Sequence, residues 1–226
     1  MRALGIDPVA CTRFCEQPDL PAVGGTKNPD VAAIIELAPD VVVVNDEENR
    51  REDAHALAAA GLPIHDMSPR SVADVGPAMV ALGDALGIAV PNPFPTGPWE
   101  AWLGAQHTAA AGSRRRAVVV VWRRPWMTMN ADTYASSLLE LLAIDNVFAD
   151  ASDRYPTTDL DAIARQRPDV VLLPSEPYPF ADRHRAEVAA AVGHGDVRPV
   201  DGRDLFWWGI RTPRALARLR TELRPA

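Results

Sequence analysis

One hydrophobic pattern occurs twice in the chain, and each time it predicts a helix followed by a buried strand. The two segments are VAAIIELAPDVVVVN, residues 31–45, and LDAIARQRPDVVLLP, residues 160–174. In both, apolar residues recur at helical spacing up to a proline, Pro39 or Pro168, which cannot continue a helix. An aspartate and four aliphatic residues follow, which is typical of a parallel strand covered on both faces. The repetition predicts two α/β lobes of related build.

The same periodicities predict further elements around each copy. The predicted strands cover residues 8–14, 62–65 and 117–122, and the predicted helices cover 49–60, 71–86, 98–111 and 132–142. Ser71 is predicted to cap its helix, with Asp74 favouring the amino end. Asn28, which is followed by Pro29, is predicted to cap the helix of the first copy. Strands that alternate with helices indicate an α/β fold with mainly parallel sheets.

Proline and glycine interrupt this alternation once, between residues 91 and 98. Such a stretch predicts a domain boundary. The chain is therefore divided into an amino-terminal α/β lobe at 1–90, a linker and backbone helix at 91–113, and a carboxy-terminal α/β lobe at 114–226.

Candidate ligand contacts follow from the strand ends, because α/β folds bind ligands at the carboxyl ends of their strands. That rule selects residues 45–49, 122–130 and 174–180. Within the second segment, two tryptophans flank the pair Arg123–Arg124. Arginine beside tryptophan suits a large, flat, partly anionic ligand, through stacking and charge pairing. Packing within the lobe is the alternative role, and it stays open for Trp126 and Tyr155.

An acidic cluster, Asp46–Glu47–Glu48, follows the first predicted strand. Carboxylates at such a position suit a metal ion or a general acid and base, and the alternative is a solvated helix start. Lys27, the only lysine, lies in a Gly-Gly turn and is a candidate anion contact. The usual motifs of phosphate-binding, hydrolase and dinucleotide-binding sites are absent from the sequence.

Composition limits the classes of function. Hydrophobic residues make up 47% of the 226, enough to form a core, and charged residues make up 23%. The longest strand-like apolar run is far shorter than a transmembrane helix, so the prediction is a soluble protein. A net charge of −7 disfavours nucleic-acid binding. The two cysteines, Cys11 and Cys15, do not match a structural zinc site and are predicted to be buried thiols.

Several segments together resemble the class III periplasmic binding proteins, the helical-backbone metal receptors, and in particular the branch labelled cobalamin-binding or ABC-transporter substrate-binding. The segments are TRFCEQP, VGGTKNPDVAAIIELAPDVVVVNDEENRREDAHALAAAGLPI, WRRPWMTMNADTYASSLLELLAIDNVFADASDRYP and RPDVVLLPSEPYPF. The resemblance runs through nearly the whole chain, and GGTKNPD and RRPWM are its more specific parts.

The resemblance implies two α/β lobes joined by a backbone helix, with a corrinoid or an iron–siderophore held between them and delivered to a membrane transporter. It places ligand contacts at Asn45, Trp122, Trp126 and Tyr155. The two arginines and Trp207 are added to these four residues. The predicted ligand-binding set is Asn45, Trp122, Arg123, Arg124, Trp126, Tyr155 and Trp207. The glutamates near the regions that dock on a permease are Glu47, Glu52 and Glu176.

The chain also departs from the family pattern. Exported members begin with a signal peptide or a lipobox cysteine, which this sequence does not show, so the expected location as written is the cytoplasm. An extracytoplasmic location is the alternative if the true start lies upstream. The family's first strand–loop unit, of the type R-x-V-S-L-x-P-S-x-T-E, is also expected to be missing.

The leading hypothesis is therefore a non-enzymatic solute-binding protein for a bulky metal-containing small molecule, corrinoid-like first and ferric siderophore second. It has no predicted catalytic residue, metal ligand or intrinsic cofactor. One alternative is a cytoplasmic metal-dependent enzyme or cofactor-handling protein that uses residues 46–48. Another is a protein-interaction homodimer that has lost the ligand site.

Overall fold

The structure is a computed structural model that describes residues 1–88, 99–110 and 113–224. The proline-rich part of the predicted linker, residues 91–98, lies outside the described residues. The described residues form two compact units, one within Met1–Ser68 and Pro77–Pro93 and the other within Pro69–Gly76 and Phe94–Ala226. The domain boundaries drawn after residues 90 and 113 stay predictions. In the described part of the chain, no helix combines the length and apolarity needed to cross a membrane.

The first unit contains a small parallel sheet with helices. Its elements are a 3-10 turn at Arg2–Leu4, α1 (Val31–Leu37), β1 (Val42–Val44), α2 (Arg51–Ala59) and β2 (Ile64–Asp66), and α3 (Val72–Ala85) begins in the second unit and continues into the first. β1 and β2 pair in parallel, with Val42 opposite Ile64. The first copy of the repeat is thus a helix followed by a strand, as predicted, but the prediction that this strand is buried is wrong, since Val43 is 40% exposed.

Several local predictions in the first unit are wrong. The cysteines are not buried thiols, since Cys15 is exposed and Cys11 is only partly buried. Residues 8–14 do not form a strand, because the described pairing is one isolated bridge between Cys11 and Ala22 and a hydrogen bond from the Arg13 N–H to the Gly24 carbonyl. The residue that caps α1 is Asp30, whose Oδ1 accepts the backbone N–H of Ala33 at 3.0 Å. Asn28 lies two residues before this cap position, and its carbonyl accepts the Gly25 N–H within the preceding turn.

The second unit is built on a four-stranded parallel sheet. Its elements are α4 (Trp99–Ala109), β3 (Arg115–Val119), β4 (Trp122–Arg123), β5 (Trp126–Met127), α5 (Tyr134–Glu140), β6 (Ile144–Asn146), β7 (Thr157–Thr158), α6 (Leu160–Arg165), β8 (Val170–Pro174), α7 (Asp182–Val192), β9 (Asp196–Val200), α8 (Gly202–Phe206) and α9 (Thr212–Glu222). The parallel strands are ordered β6-β3-β8-β9. A separate antiparallel sheet, β4-β5-β7, is an addition that the sequence patterns did not predict.

The core of the second unit lies where α6 and α7 cover this parallel sheet. Its buried members are Val118, Val120, Ile163, Val171, Leu173, Val188, Val192 and Val197. Every residue of β8 is buried, which confirms the prediction of a strand covered on both faces. Such burial stabilises the unit by about 25 cal/mol per Å² of apolar surface removed from water.

The amino end of α3 carries the capping arrangement that its sequence predicts. Ser71 Oγ accepts the Asp74 N–H at 3.3 Å, and Asp74 Oδ2 accepts the Ser71 N–H at 2.8 Å. Each side chain therefore satisfies a backbone donor that has no partner within the helix.

Replacing Ser71 with alanine is expected to lower the free energy of unfolding by about 1 kcal/mol, because the N–H of residue 74 loses its side-chain acceptor and keeps only the backbone carbonyl of residue 71. Urea denaturation followed by circular dichroism measures this change. Ser152→Ala is the matched control, since Ser152 is exposed and forms no hydrogen bond among those described. Equal midpoints for the two variants would contradict the prediction.

Candidate functional site

The carboxyl ends of three parallel strands in the second unit bring three segments to one edge of the sheet. β3, β8 and β9 pair in register, so their carboxyl ends meet at the same edge. The segments that follow are the β4–β5 hairpin, residues 175–180 and α8. Two groups of side chains lie on these segments.

The first group, called here the aromatic cluster, consists of Trp122, Trp126, Tyr178, Phe180 and His184. Trp122 meets Tyr178 edge to face with 5.5 Å between ring centroids. Trp126 stacks parallel to Phe180 at 6.3 Å. Tyr178 and Phe180 lie 4.7 Å apart, and both contact the His184 ring. The cluster joins the hairpin to residues 175–180 and to the start of α7.

The Arg123 side chain lies against the aromatic cluster and is paired with Glu187. Its Nε and an NH2 nitrogen donate hydrogen bonds to the Glu187 carboxylate at 3.1 and 2.9 Å, and its guanidinium lies 5.5 Å from the centre of the Trp126 ring. These contacts pair the Arg123 charge with Glu187, and the hydrogen bond raises the pKa of Arg123. Arg124 is exposed, and no ion pair to it occurs within the described ranges. Arg124 is therefore the cation of the pair that is available to an anionic group.

His184, the buried member of the aromatic cluster, stabilises the turn that leads into α7. Its side chain is buried, and its Nδ1 accepts the backbone N–H of Ala181 at 3.0 Å. Burial lowers the pKa of His184, and the charges of Arg183 and Arg123 lower it further. A neutral imidazole at neutral pH can accept the Ala181 N–H, which keeps the Tyr178 and Phe180 rings in place.

The second group surrounds Trp207, directly after α8. The Arg211 guanidinium lies 5.4 Å from the centre of the Trp207 ring. Desolvation raises the pKa of Glu176, opposed by the Trp207 hydrogen bond and by Arg203. Glu176 belongs to the same segment as Tyr178 and Phe180, so both groups share residues 175–180.

A glycine allows this segment to approach α8. A Cβ at Gly202 would lie 2.6 Å from the Glu176 carbonyl oxygen and 2.7 Å from its nitrogen. The Gly202 N–H also donates to Ser175 Oγ at 3.0 Å. Because the obstructing atoms are backbone, only glycine fits here without moving the segment.

The structure brings together some of the predicted ligand contacts. Trp122, Arg123 and Trp126 lie within the aromatic cluster or against it. Trp122 is 40% exposed, whereas Trp126 packs partly against the hydrophobic core, which matches its alternative packing role. Tyr155 is exposed and precedes β7, the strand that pairs with β5. No contact with a ligand is tested, so all these assignments stay predictions.

Asn45 lies in the first unit, and its side chain has local partners. Its Nδ2 donates to the Met67 carbonyl at 3.1 Å, and its Oδ1 accepts the Glu47 N–H at 2.9 Å. The Asn45 N–H in turn donates to Asn49 Oδ1 at 2.8 Å. The amide therefore organises the turn after β1, and its ligand-facing role stays a prediction.

The acidic segment after β1 is engaged with the Gly-Gly turn. Lys27 Nζ donates to the Glu47 carbonyl, and Thr26 Oγ1 donates to Glu48 Oε2 at 3.1 Å. Glu52 is exposed, and its Oε1 lies 3.6 Å from Arg50 Nε. Within residues 1–88, 99–110 and 113–224, no group of three or more His, Cys, Asp or Glu side chains is arranged to hold a metal ion. The described residues therefore contain no set of ligands for the metal ion that the enzyme hypothesis places at residues 46–48.

Sequence reasoning did not single out several residues of these groups. They are Tyr178, Phe180, His184, Glu187 and Arg211. The strand-end rule had selected residues 174–180, which contain the first two, but no local pattern pairs a loop aromatic with a distant hairpin. Only the tertiary arrangement brings them together.

Comparison with solved structures shows the fold. The periplasmic heme-binding protein RhuT from Roseiflexus sp. RS-1 superposes with a TM-score of 0.75 at 20% identity, over 97% of this chain and 91% of RhuT. The periplasmic heme-binding protein HutB of Vibrio cholerae gives 0.70 at 17% identity, over 99% and 94%. The periplasmic vitamin B12-binding protein BtuF of Vibrio cholerae gives 0.69 at 17% identity, over 92% and 83%.

No protein-family model and no curated protein matches the sequence. At these identities the structural likeness shows the fold, which is that of the periplasmic binding proteins. It confirms the predicted α/β class and the fold expected from the resemblance.

Proposed function

We propose that this chain, which has the fold of the periplasmic binding proteins, is a non-enzymatic solute-binding protein for a bulky, metal-containing small molecule. The observation that carries the proposal is the partly exposed aromatic cluster at the carboxyl edge of the parallel sheet in the second unit. The binding proteins of the same fold named above bind heme or vitamin B12, which supports this class of ligand.

The chemistry of the edge suits a flat ligand with an anionic group. Trp122 presents an exposed indole, and Arg124 adds an exposed cation two residues later. Stacking on an indole combines burial of apolar area with the attraction between ring quadrupoles. A nearby guanidinium pairs with a carboxylate or a phosphate. We infer that a corrinoid is the first candidate and a ferric siderophore the second, and heme belongs among the ligands to be compared.

Delivery to a membrane transporter follows from the same proposal. A solute-binding protein of this kind works outside the cytoplasm and passes its ligand to an ABC-transporter permease, with Glu47 and Glu52 as proposed docking residues. Glu176, the third predicted docking glutamate, is partly buried beside Trp207 and is not included. The exposed Glu52 suits such a contact. The metal-dependent enzyme and the homodimer, the two alternatives, have no specific observation in their favour among the described residues.

Replacing Trp122 with alanine is expected to weaken ligand binding about fivefold, because one stacked aromatic contributes on the order of 1 kcal/mol. Absorbance titrations of the wild type with cyanocobalamin, hemin and a ferric hydroxamate siderophore identify the ligand. The same titration of Trp122→Ala with that ligand then gives the change in Kd. Since Trp122 is 40% exposed, the truncation leaves the core intact.

Trp102→Phe on α4 is the matched control, because it removes one indole away from the sheet edge and keeps an aromatic ring against Trp99. Its affinity is expected to equal that of the wild type. If none of the three compounds changes the absorbance or the thermal stability of the wild type, the proposed function is wrong.

A further inference from the structure

A buried carboxylate lies behind the second group of side chains. Asp204 on α8 is 1% exposed. Its Oδ2 accepts a hydrogen bond from Arg218 Nε at 2.6 Å, and its Oδ1 accepts one from Arg211 NH2 at 3.0 Å. Arg211 directly precedes α9, and Arg218 lies within it. This one carboxylate therefore connects α8 to α9.

Arg211 is shared between Asp204 and Trp207. The guanidinium that binds Asp204 also lies 5.4 Å from the centre of the Trp207 ring. A guanidinium held by a buried carboxylate has lost most of its rotamer freedom. The cation is therefore fixed over one face of the indole.

Glu176 holds the same ring at its edge. The Trp207 indole, as a hydrogen-bond donor, lowers the pKa of Glu176 against the desolvation that raises it. Glu176 is itself located by the close approach of Gly202 and by the hydrogen bond from Gly202 N–H to Ser175 Oγ. Trp207 is thus held by a cation at its face, beside the Glu176 segment, and it remains partly exposed.

We propose that Arg211 and Glu176 are positioning residues that hold the Trp207 ring in a preorganised orientation as one wall of the ligand surface. The inference rests on the proposed function. A ring that is already oriented does not lose rotamer entropy on binding, so affinity is higher than with a mobile indole. In this assignment Glu176 acts on the ligand through Trp207, because its carboxylate is engaged within the protein.

The orientation of Trp207 is tested without any ligand, on the full chain labelled with 5-fluorotryptophan. Trp207→Phe identifies the fluorine resonance of Trp207. Arg211→Gln and Glu176→Gln are each expected to shift or broaden that resonance and to leave those of Trp99 and Trp102 unchanged. Arg214→Gln is the matched control, since Arg214 is exposed on α9 and has no ion pair within the described residues. A Trp207 resonance unchanged in both variants overturns the inference.

The effect on binding is tested by a double-mutant cycle, with whichever of cyanocobalamin, hemin or the ferric hydroxamate binds the wild type. Arg211→Gln is expected to weaken binding about fivefold, and to have little effect when Trp207 is already phenylalanine, because its action passes through the ring. An equal loss in both backgrounds overturns the positioning role.

The two proposals fail in different ways. If no compound binds but the fluorine resonance responds, the proposed function is wrong and only the local geometry around Trp207 is supported. If the wild type binds and Trp122→Ala weakens binding while Arg211→Gln does not, the proposed function stands and the inference is overturned.

Discussion

Replacing Asp204 with asparagine is expected to lower the free energy of unfolding by about 3 kcal/mol, the low end of what breaking a buried ion pair costs. The Asp204 side chain is 1% exposed and pairs with Arg218 and Arg211. Asparagine keeps the shape, but it removes the charge and replaces one acceptor oxygen with an NH2 donor that faces a guanidinium. The loss stays at the low end because water reaches part of both arginine side chains. Urea denaturation of both proteins at pH 7 measures the difference.

The same pair predicts how stability changes in acid. Hydrogen bonding from Arg218 is the main cause that lowers the pKa of Asp204 below its ordinary value of 3.8. A carboxyl with a lowered pKa in the folded state contributes stability above the ordinary value, and this contribution is lost as the pH falls through the lowered pKa. Asp204→Asn should therefore differ most from the wild type at neutral pH and least in strong acid. Asp150→Asn, at an exposed position, is the control. A difference that does not depend on pH would contradict the assignment.

Replacing Leu173 with alanine is expected to destabilise the second unit by about 3 kcal/mol. Leu173 lies on β8, is 2% exposed and belongs to the core cluster under α6 and α7. Its removal leaves a cavity among β-branched neighbours such as Val118 and Ile163, which are stiff at χ1 and do not easily collapse into the space. Thermal unfolding and urea denaturation both measure the loss.

Leu37→Ala is the matched control, because the same atoms are removed from a leucine that is 39% exposed. Its expected effect is within about 0.5 kcal/mol. If the two variants lost equal stability, the buried position of Leu173 would not be the cause, and the core assignment of β8 would be wrong.

The elements that were predicted well depend on local sequence. The helix–proline–strand units at residues 31–45 and 160–174 form because hydrophobic periodicity and a helix-ending proline lie within one short segment. The Ser71 cap has the same local origin. The predicted strand at residues 8–14 failed because a strand needs a partner along its length, and here the pairing is an isolated bridge at Cys11 and one hydrogen bond from Arg13.

The candidate site divides in the same way. Trp122, Arg123 and Trp126 are neighbours in sequence at a strand end, so the strand-end rule finds them. The rule also selects residues 174–180, which carry Tyr178 and Phe180, but it does not show that their rings face the hairpin. Glu187 neutralises Arg123 from 64 positions away, and no local pattern records that pairing.

The sequence by itself determined the α/β class, the duplicated helix–strand units and the segments at the sheet edge, because periodicity and turn residues act over a few neighbouring positions. Tertiary structure alone decided which arginine is neutralised, which tryptophan is exposed and how Trp207 is held. Those outcomes depend on Glu187, Asp204 and Glu176, which fold against the site from other segments. Burial and charge pairing between distant segments follow from the packed chain as a whole, so they could not be read from local patterns.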